Sequence, residues 1–317
     1  MIVLGVETSC DETSVSIVRD GKEVLSNIIY TQIDIHKEYG GVVPEVASRH
    51  HVTKITYVFD QALKTAKLNP SDIDLVAVTS HPGLIGSLLV GINAAKTFAL
   101  AHDIPYTEVD HIVGHIYANY IEHDFNFPMI ALVVSGGHTE IRLMKDHYDF
   151  TLIGETLDDA VGESYDKVGR VMNLEYPAGA KVDKLAHEGK PTYKLPYVFM
   201  DKDSYNFSFS GLKSAVLNVC NKAKMKGEEL NIPDLACSFQ TSVVTVLSEK
   251  AIRAAKEYGC KQIVVAGGVA ANRGLRETLA IGCEKNGIEL SFPKMVYCTD
   301  NAAMIATAGY FKYILNK

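Results

Sequence analysis

The chain has 317 residues, 47% of them hydrophobic and 22% charged, and carries a formal net charge of -7. This composition excludes a disordered chain, and the length leaves room for two domains or one large bilobed α/β unit. The acidic balance excludes a protein that holds nucleic acid by bulk charge; any RNA must meet a local basic patch or one lent by a partner.

In chain order, residues 2–6 read as a buried strand, residues 8–13 as a polar turn and residues 14–19 as a returning strand. Asp20-Gly21 turns the chain into a third strand over residues 22–29. The first strand follows Met1 with no basic leader or cleavage site, which predicts no signal peptide. A further strand is expected at residues 75–79. The long apolar stretch that follows is broken by His81, Pro82, Asn93 and Lys96, so no membrane span is expected. Cys10, Cys220, Cys237, Cys260, Cys283 and Cys298 contain no CxxC pair, so reduced thiols and a cytoplasmic location are expected.

Residues 110–120 contain His111-Ile-Val-Gly-His115. On a helix the two imidazoles lie one turn apart on one face, where two neutral nitrogens can bind one metal ion. Chance also produces such pairs on ordinary helices, so a third ligand is needed. The zinc-protease signature places a Glu directly after the first His, whereas Ile112 stands here, and a metalloprotease would lack its general base. Asp300 is the candidate third ligand, with the competing role of N-capping the last helix, over residues 301–315. Two His and one carboxylate suit iron or zinc acting as a Lewis acid.

Residues 129–134, the tip Ser135-Gly136-Gly137-His138 and residues 139–145 repeat the strand–turn–strand pattern of the N-terminus. Each hairpin is followed by helical stretches and a further strand, here residues 262–266. This echo predicts a duplicated fold with a cleft that both tips face. Tandem glycines at a tip let backbone N–H groups approach an anion, although a lone pair more often serves a tight turn. Asp11 and Glu12 at the first tip suit handling of a metal, water or proton; the bland alternative is a solvated acidic turn. A helical insert is expected over residues 156–231, with a run of lysines at positions 181, 184, 190, 194, 202, 213, 222, 224 and 226. After the strand at residues 262–266, Gly267-Gly268 leads to a helix starting near Asn272-Arg273, a junction that can seat an adenosine or ribose. The chain then returns through residues 296–299.

Seven stretches in order resemble the TsaD (formerly Gcp) family across nearly the whole chain. They are ETSCDETS from Glu7, DHIVGHIYA from Asp110, VSGGHTE from Val134 and ETLDDAVGESYDKVGR from Glu155. FSFSGLKSAV from Phe207, VAGGVAANRGLRETL from Val265 and CTDNAAMIA from Cys298 complete the set. The resemblance implies a duplicated α/β fold of the actin, Hsp70 and sugar-kinase type (ASKHA), two lobes around a central nucleotide-binding cleft. It assigns residues 1–120 and 295–317 to one lobe and 121–294 to the other. The implied activity moves a threonylcarbamoyl group from threonylcarbamoyl-AMP to N6 of the adenosine 3′ of the anticodon. The acceptors are tRNAs reading codons that begin with A, and AMP is released.

By the same resemblance His111, His115 and Asp300 hold one divalent metal ion per subunit, iron in preference to zinc. Val134, Ser135, Gly136, Gly137, His138, Asp166, Gly179, Asp183 and Asn272 bind substrate, and Asp11 and Glu12 are the catalytic candidates. The family's usual Tyr-Pro-Gly-Gly-Pro stands here as Tyr176-Pro177-Ala178-Gly179-Ala180. A TsaB-like paralogous subunit and a TsaE-like ATPase are the implied partners, with TsaC-type enzymes supplying the adenylate. The rival readings are a small-molecule kinase or ATPase of the same superfamily, which leaves the His-His-Asp set idle, the metalloprotease, and a non-catalytic scaffold, which predicts loss of the metal ligands.

Overall fold

Alternating apolar residues at the N-terminus build three antiparallel strands, β1 (Ile2–Glu7), β2 (Glu12–Arg19) and β3 (Glu23–Thr31). Asp20 and Gly21 both take left-handed backbone (φ 51° and 68°), the two-residue turn whose twist matches paired strands. The polar turn is shorter than expected. β2 begins at Glu12, which pairs with Thr31 and accepts its hydroxyl at 3.1 Å, and β3 extends to Thr31 accordingly.

After the short α1 (Ile33–Lys37), Pro44 opens α2 (Pro44–Ala66), its fixed φ suited to a first helical turn. β4 (Leu75–His81), α3 (Ile85–Ala101), β5 (Tyr106–Asp110) and α4 (His111–Tyr117) follow. The first sheet has the order β3-β2-β1-β4-β5, with β4 and β5 parallel to β1. Leu4, Val6, Val15 and Ile17 pack in one core with Val58 and Ala62 of α2 and Ala95 and Ala99 of α3. The alternation of strand side chains puts Gly5 on the opposite face.

A second sheet repeats this plan. β6 (Met129–Val134), β7 (Thr139–Asp146) and β8 (Asp149–Glu155) are antiparallel. The segment expected as a helical insert contains α5 (Val161–Val171), α6 (Gly179–Glu188) and α7 (Ser210–Lys226). Then come α8 (Ile232–Glu257), β9 (Gln262–Ala266), α9 (Arg273–Asn286) and β10 (Glu289–Ser291). From β8 inward the order is β8-β7-β6-β9-β10, with β9 parallel to β6 and β10 parallel to β9. Strand for strand this is the first sheet's arrangement, so the internal echo is a duplicated topology.

The chain ends in α10 (Met295–Cys298) and α11 (Ala302–Leu315). The extended return expected near residues 296–299 is thus mostly a helical turn. α11 lies against the face of the first sheet opposite α2 and α3, and it approaches closely because both surfaces are small. A Cβ on Gly5 would fall 2.2 Å from the Ala302 carbonyl oxygen. This computed structural model describes residues 1–200 and 203–316. The chain forms two units, Met1–Asp124 with Pro293–Lys317, and Phe125–Phe292. Among the described residues no helix is long and apolar enough to cross a membrane.

Candidate metal centre and substrate-binding turns

β5 runs directly into α4, and the Asp110 carboxylate makes the junction by accepting the Val113 amide at 3.0 Å. Asp caps a helix start well because its oxygen satisfies an amide with no helical partner. Within that single short helix His111 and His115 lie on one face, ring centroids 4.6 Å apart. Both are buried, as is Ile112 between them, so the position a zinc protease uses for its base is an apolar packing residue.

Asp300 arrives from the loop before α11. Its Oδ1 lies 3.1 Å from His115 Nε2 and 3.5 Å from His111 Nε2. One ligand atom from each of the three residues falls within 4.8 Å of the others, a spacing that can hold a metal ion. The capping role weighed for Asp300 belongs instead to Asn301, whose side chain accepts the Met304 amide at 3.1 Å.

A metal ion fits this donor set. Both ring nitrogens of His115 are buried and neither makes a hydrogen bond, although Asp300 Oδ1 lies 3.1 Å from Nε2, so the ring is open to coordination. Two imidazoles and a carboxylate leave open coordination positions for substrate oxygens.

Sequence reasoning quoted Glu7 within a motif but gave it no role. It is fully buried at the end of β1, and its Oε2 lies 3.0 Å from His111 Nδ1. Burial alone would raise the Glu7 carboxyl. The His111 imidazole facing it and the Ser9 amide outweigh that and hold it below the usual carboxylate range. Burial would likewise depress His111, but Asp300 and Glu7 push it up to about 9. The signal available in sequence was a carboxylate ending an otherwise apolar strand, IVLGVE.

Asp11 and Glu12 sit at the start of β2. Burial first, then the negative charges of Asp300 and Asp11, push the Glu12 carboxyl well above its ordinary value. Burial and the adjoining Asp11 also raise the Cys10 thiol, so it is not an activated nucleophile.

In the second unit, Val134 ends β6 and the chain turns tightly. The Ser135 amide donates to the His138 carbonyl at 2.8 Å, and the His138 amide donates to Ser135 Oγ at 3.0 Å. Gly162 at the start of α5 donates its amide to the Ser135 carbonyl at 3.1 Å. Gly136 and Gly137 are exposed, neither takes left-handed backbone, and a Cβ on either would meet nothing within 4 Å. The chain itself therefore makes no demand for glycine there. Gly267 differs, with φ at +92° and a would-be Cβ 2.5 Å from the Val134 carbonyl oxygen.

Asp166 and Gly179 come together, since the Asp166 carboxylate accepts the Ala178 amide at 2.7 Å and also the amide of Gly179. Burial nonetheless keeps Asp166 above the usual carboxylate range. Asp183 and Asn272 meet at the start of α9. Asp183 accepts the amides of Arg273 at 3.0 Å and Gly274 at 3.3 Å, and Asn272 caps the helix through the Leu275 amide at 2.8 Å. Gln240, absent from the sequence reading, joins them by donating to Asp183 at 2.9 Å and accepting from Asn272 at 2.8 Å. It lies on the buried face of α8, which also carries Ser238 and Ser242, and no motif marks it out.

The lysine run divides. Lys181 pairs with Glu175 and Lys226 with Glu228. Lys222 and Lys224 on α7 are exposed, and among the described residues no carboxylate lies within ion-pair range of them. Lys202 lies outside the described residues.

The family model "TsaD: tRNA N6-adenosine threonylcarbamoyltransferase" matches residues 23–307. A tRNA N6-adenosine threonylcarbamoyltransferase of Staphylococcus epidermidis is 57% identical over 312 residues, covering 98% of this chain and 92% of that protein. Its Staphylococcus aureus (strain Newman) counterpart is 57% identical over 313 residues, covering 99% and 92%. Among solved structures, T. kodakarensis HypF superposes with a TM-score of 0.67 at 15% identity, covering 99% of this chain and 48% of HypF. Component A of the Acidaminococcus fermentans (R)-2-hydroxyglutaryl-CoA dehydratase gives 0.58 at 16% identity, covering 99% of both chains. At such low identity these two speak for the fold alone, which is the duplicated actin- and Hsp70-like α/β fold. A family match over most of its length, together with relatives identical at more than half of the aligned positions, establishes that this chain belongs to the TsaD family.

Proposed function

We propose that this chain is a tRNA N6-adenosine threonylcarbamoyltransferase. Threonylcarbamoyl-AMP is the donor and N6 of the adenosine 3′ of the anticodon the acceptor, in tRNAs reading codons that begin with A. The observation that carries the reading is the meeting of His111, His115 and Asp300 in a member of this family. A kinase or ATPase of the same fold has no use for that set, and a scaffold has no reason to keep it.

The reaction is an acyl-type transfer. The N6 lone pair attacks the carbamoyl carbon, the bond from that carbon to the phosphate oxygen breaks, and AMP leaves with the electron pair. N6 gives up one proton. Asp11 and Glu12 are the candidates to accept it, and burial with the neighbouring negative charges biases Glu12 toward its neutral form.

We assign the donor's adenylate to the second unit's turn. The support is that Gly136 and Gly137 answer to no need of the chain's own packing, so their bare backbone suits an anion's approach. Asp166, Gly179, Asp183 and Asn272 complete the pocket in this reading. Several of their polar atoms hold neighbouring backbone amides, which pre-orients the loops. Bound at His111, His115 and Asp300, a divalent ion would supply Lewis-acid polarisation of substrate oxygens; the donor set suits iron or zinc, and the family resemblance favours iron.

An acidic chain that acts on tRNA needs local or borrowed positive charge. We assign that role to Lys222 and Lys224 and to a TsaB-like subunit, with a TsaE-like ATPase assisting turnover. The target base lies in a loop, where it can be splayed out without melting a duplex. A tRNA substrate and six free cysteines support a cytoplasmic location in this reading.

The test mixes the purified protein and partner subunits with threonylcarbamoyl-AMP and unmodified tRNA, then weighs the nucleosides after digestion. Threonylcarbamoyl-adenosine should appear with the wild type and vanish with His111→Ala. No product from the wild type with every partner present would end the proposal.

A further inference from the structure

We infer that Glu7 is a positioning residue of the metal centre, fixing the His111 ring so that Nε2 is the coordinating atom. The inference rests on the reading that His111, His115 and Asp300 hold a metal ion, and it explains a feature that reading leaves over: a fully buried carboxylate that touches no substrate-facing surface.

Three donors converge on that carboxylate. The Ser9 amide donates to Oε1, the Thr79 hydroxyl donates to Oε2, and His111 Nδ1 stands 3.0 Å from Oε2. Ser9 and Thr79 are themselves buried, and they come from the loop after β1 and from the neighbouring strand β4. The carboxylate is thus clamped before the imidazole reaches it. An ionised carboxylate cannot face a nitrogen lone pair at 3.0 Å without repulsion, so Nδ1 carries the hydrogen and donates it to Glu7. The other ring nitrogen, Nε2, is left to the side where Asp300 Oδ1 lies 3.5 Å away. A metal-bound imidazole backed by a carboxylate is a recurrent arrangement that fixes the tautomer, orients the ring and strengthens the ligand.

The two histidines are unequal in this respect. His115 has neither ring nitrogen hydrogen-bonded, and the carboxylate near it, Asp300, stands 3.1 Å from Nε2 on the candidate metal side and does not back Nδ1.

The experiment uses Co2+ as the probe on full-length protein at fixed neutral pH. Its affinity is measured by competition with a chelator, its ligand-field absorption is recorded, and the thermal midpoint is read with and without metal. Glu7→Gln keeps shape and removes charge; Thr79→Val removes the hydroxyl that clamps Glu7. Glu7→Gln should weaken Co2+ binding about 10–100-fold, shift the absorption bands and shrink the metal-induced rise in midpoint. Thr79→Val should move all three the same way by less, and it carries the test if Glu7→Gln does not fold. Affinity within about twofold of wild type in the folded variants, with only the metal-free midpoint lowered, would reduce Glu7 to a structural residue and overturn the inference. His115→Ala separates the two levels. If it binds Co2+ as tightly as wild type, the metal site itself is wrong and the inference falls with it.

Discussion

Asp300 and Asn301, adjacent in sequence, divide two tasks that one residue often combines. Asn301 accepts the Met304 amide at 3.1 Å and starts α11, while Asp300 stands 3.1 Å from His115 Nε2. Asn301 is fully buried and also donates to the carbonyls of Tyr297 and Thr299. Helix start and metal ligand can therefore be altered separately.

Asn301→Ala is expected to cost about 1–2 kcal/mol of stability through the lost cap, and to weaken metal binding indirectly by loosening the Asp300 loop. Asp300→Ala should abolish metal retention while α11 stays folded. Denaturant unfolding and metal content after dialysis, measured on both variants, check the division. Equal loss of stability in the two would contradict it.

Gly5→Ala tests how α11 seats on the first sheet. The added Cβ would lie 2.2 Å from the Ala302 carbonyl oxygen and 2.8 Å from the Ala306 amide, both backbone atoms that cannot swing away. Overpacking of this kind costs about 1–3 kcal/mol or more. Because Ala302 follows Asp300 by two positions, Co2+ affinity should fall along with the urea midpoint. An unchanged midpoint would mean the helix can ride up freely.

Gly137→Ala and Gly267→Ala should part company. At Gly137 the backbone and the surrounding space both admit a methyl, so stability should stay within about 0.5 kcal/mol, while the KM for threonylcarbamoyl-AMP rises. At Gly267 a φ of +92° and a contact of 2.5 Å with the Val134 carbonyl predict loss of fold stability by at least about 1 kcal/mol. A destabilised Gly137→Ala with normal KM would assign that glycine to the turn.

Asp158 supplies a pH dependence within the second unit. Burial is the largest single influence and opposes it, but the hydroxyls of Ser208 and Ser210 and the amides of Phe209 and Ser210 together hold its carboxyl below the usual value. A carboxyl depressed in the folded state adds stability above its unfolded pKa and loses it as pH falls through the folded one. The stability gap between wild type and Asp158→Asn should be level above about pH 5 and close toward strong acid. Asp158 is exposed, so solvent screening keeps the gap under about 1 kcal/mol. Urea unfolding at a series of acid pH values reads it, and a gap widening toward acid would reverse the sign.

The family, its chemistry and the three residues that meet as a possible metal site were legible in the sequence because each sits in a short local motif. His111 and His115 sit four apart on one helix, a distance that helical geometry converts directly into proximity. The duplication was legible for a similar reason, since strand alternation and a Gly-rich tip repeat at both hairpins. Asp300 was reached from sequence only as a candidate, and its capping role was undecided until Asn301 was seen to take it. Glu7, Thr79 and Gln240 were beyond sequence reasoning. None of the three stands in a motif with a chemical meaning of its own, and the partners that give each its role lie 32 to 104 residues away. Local pattern reports which way a side chain faces, through the periods of strand and helix. Which distant group it faces is settled only when sheet order and helix packing bring the two together, and that is where the clamp on His111 and the network around Asp183 arise.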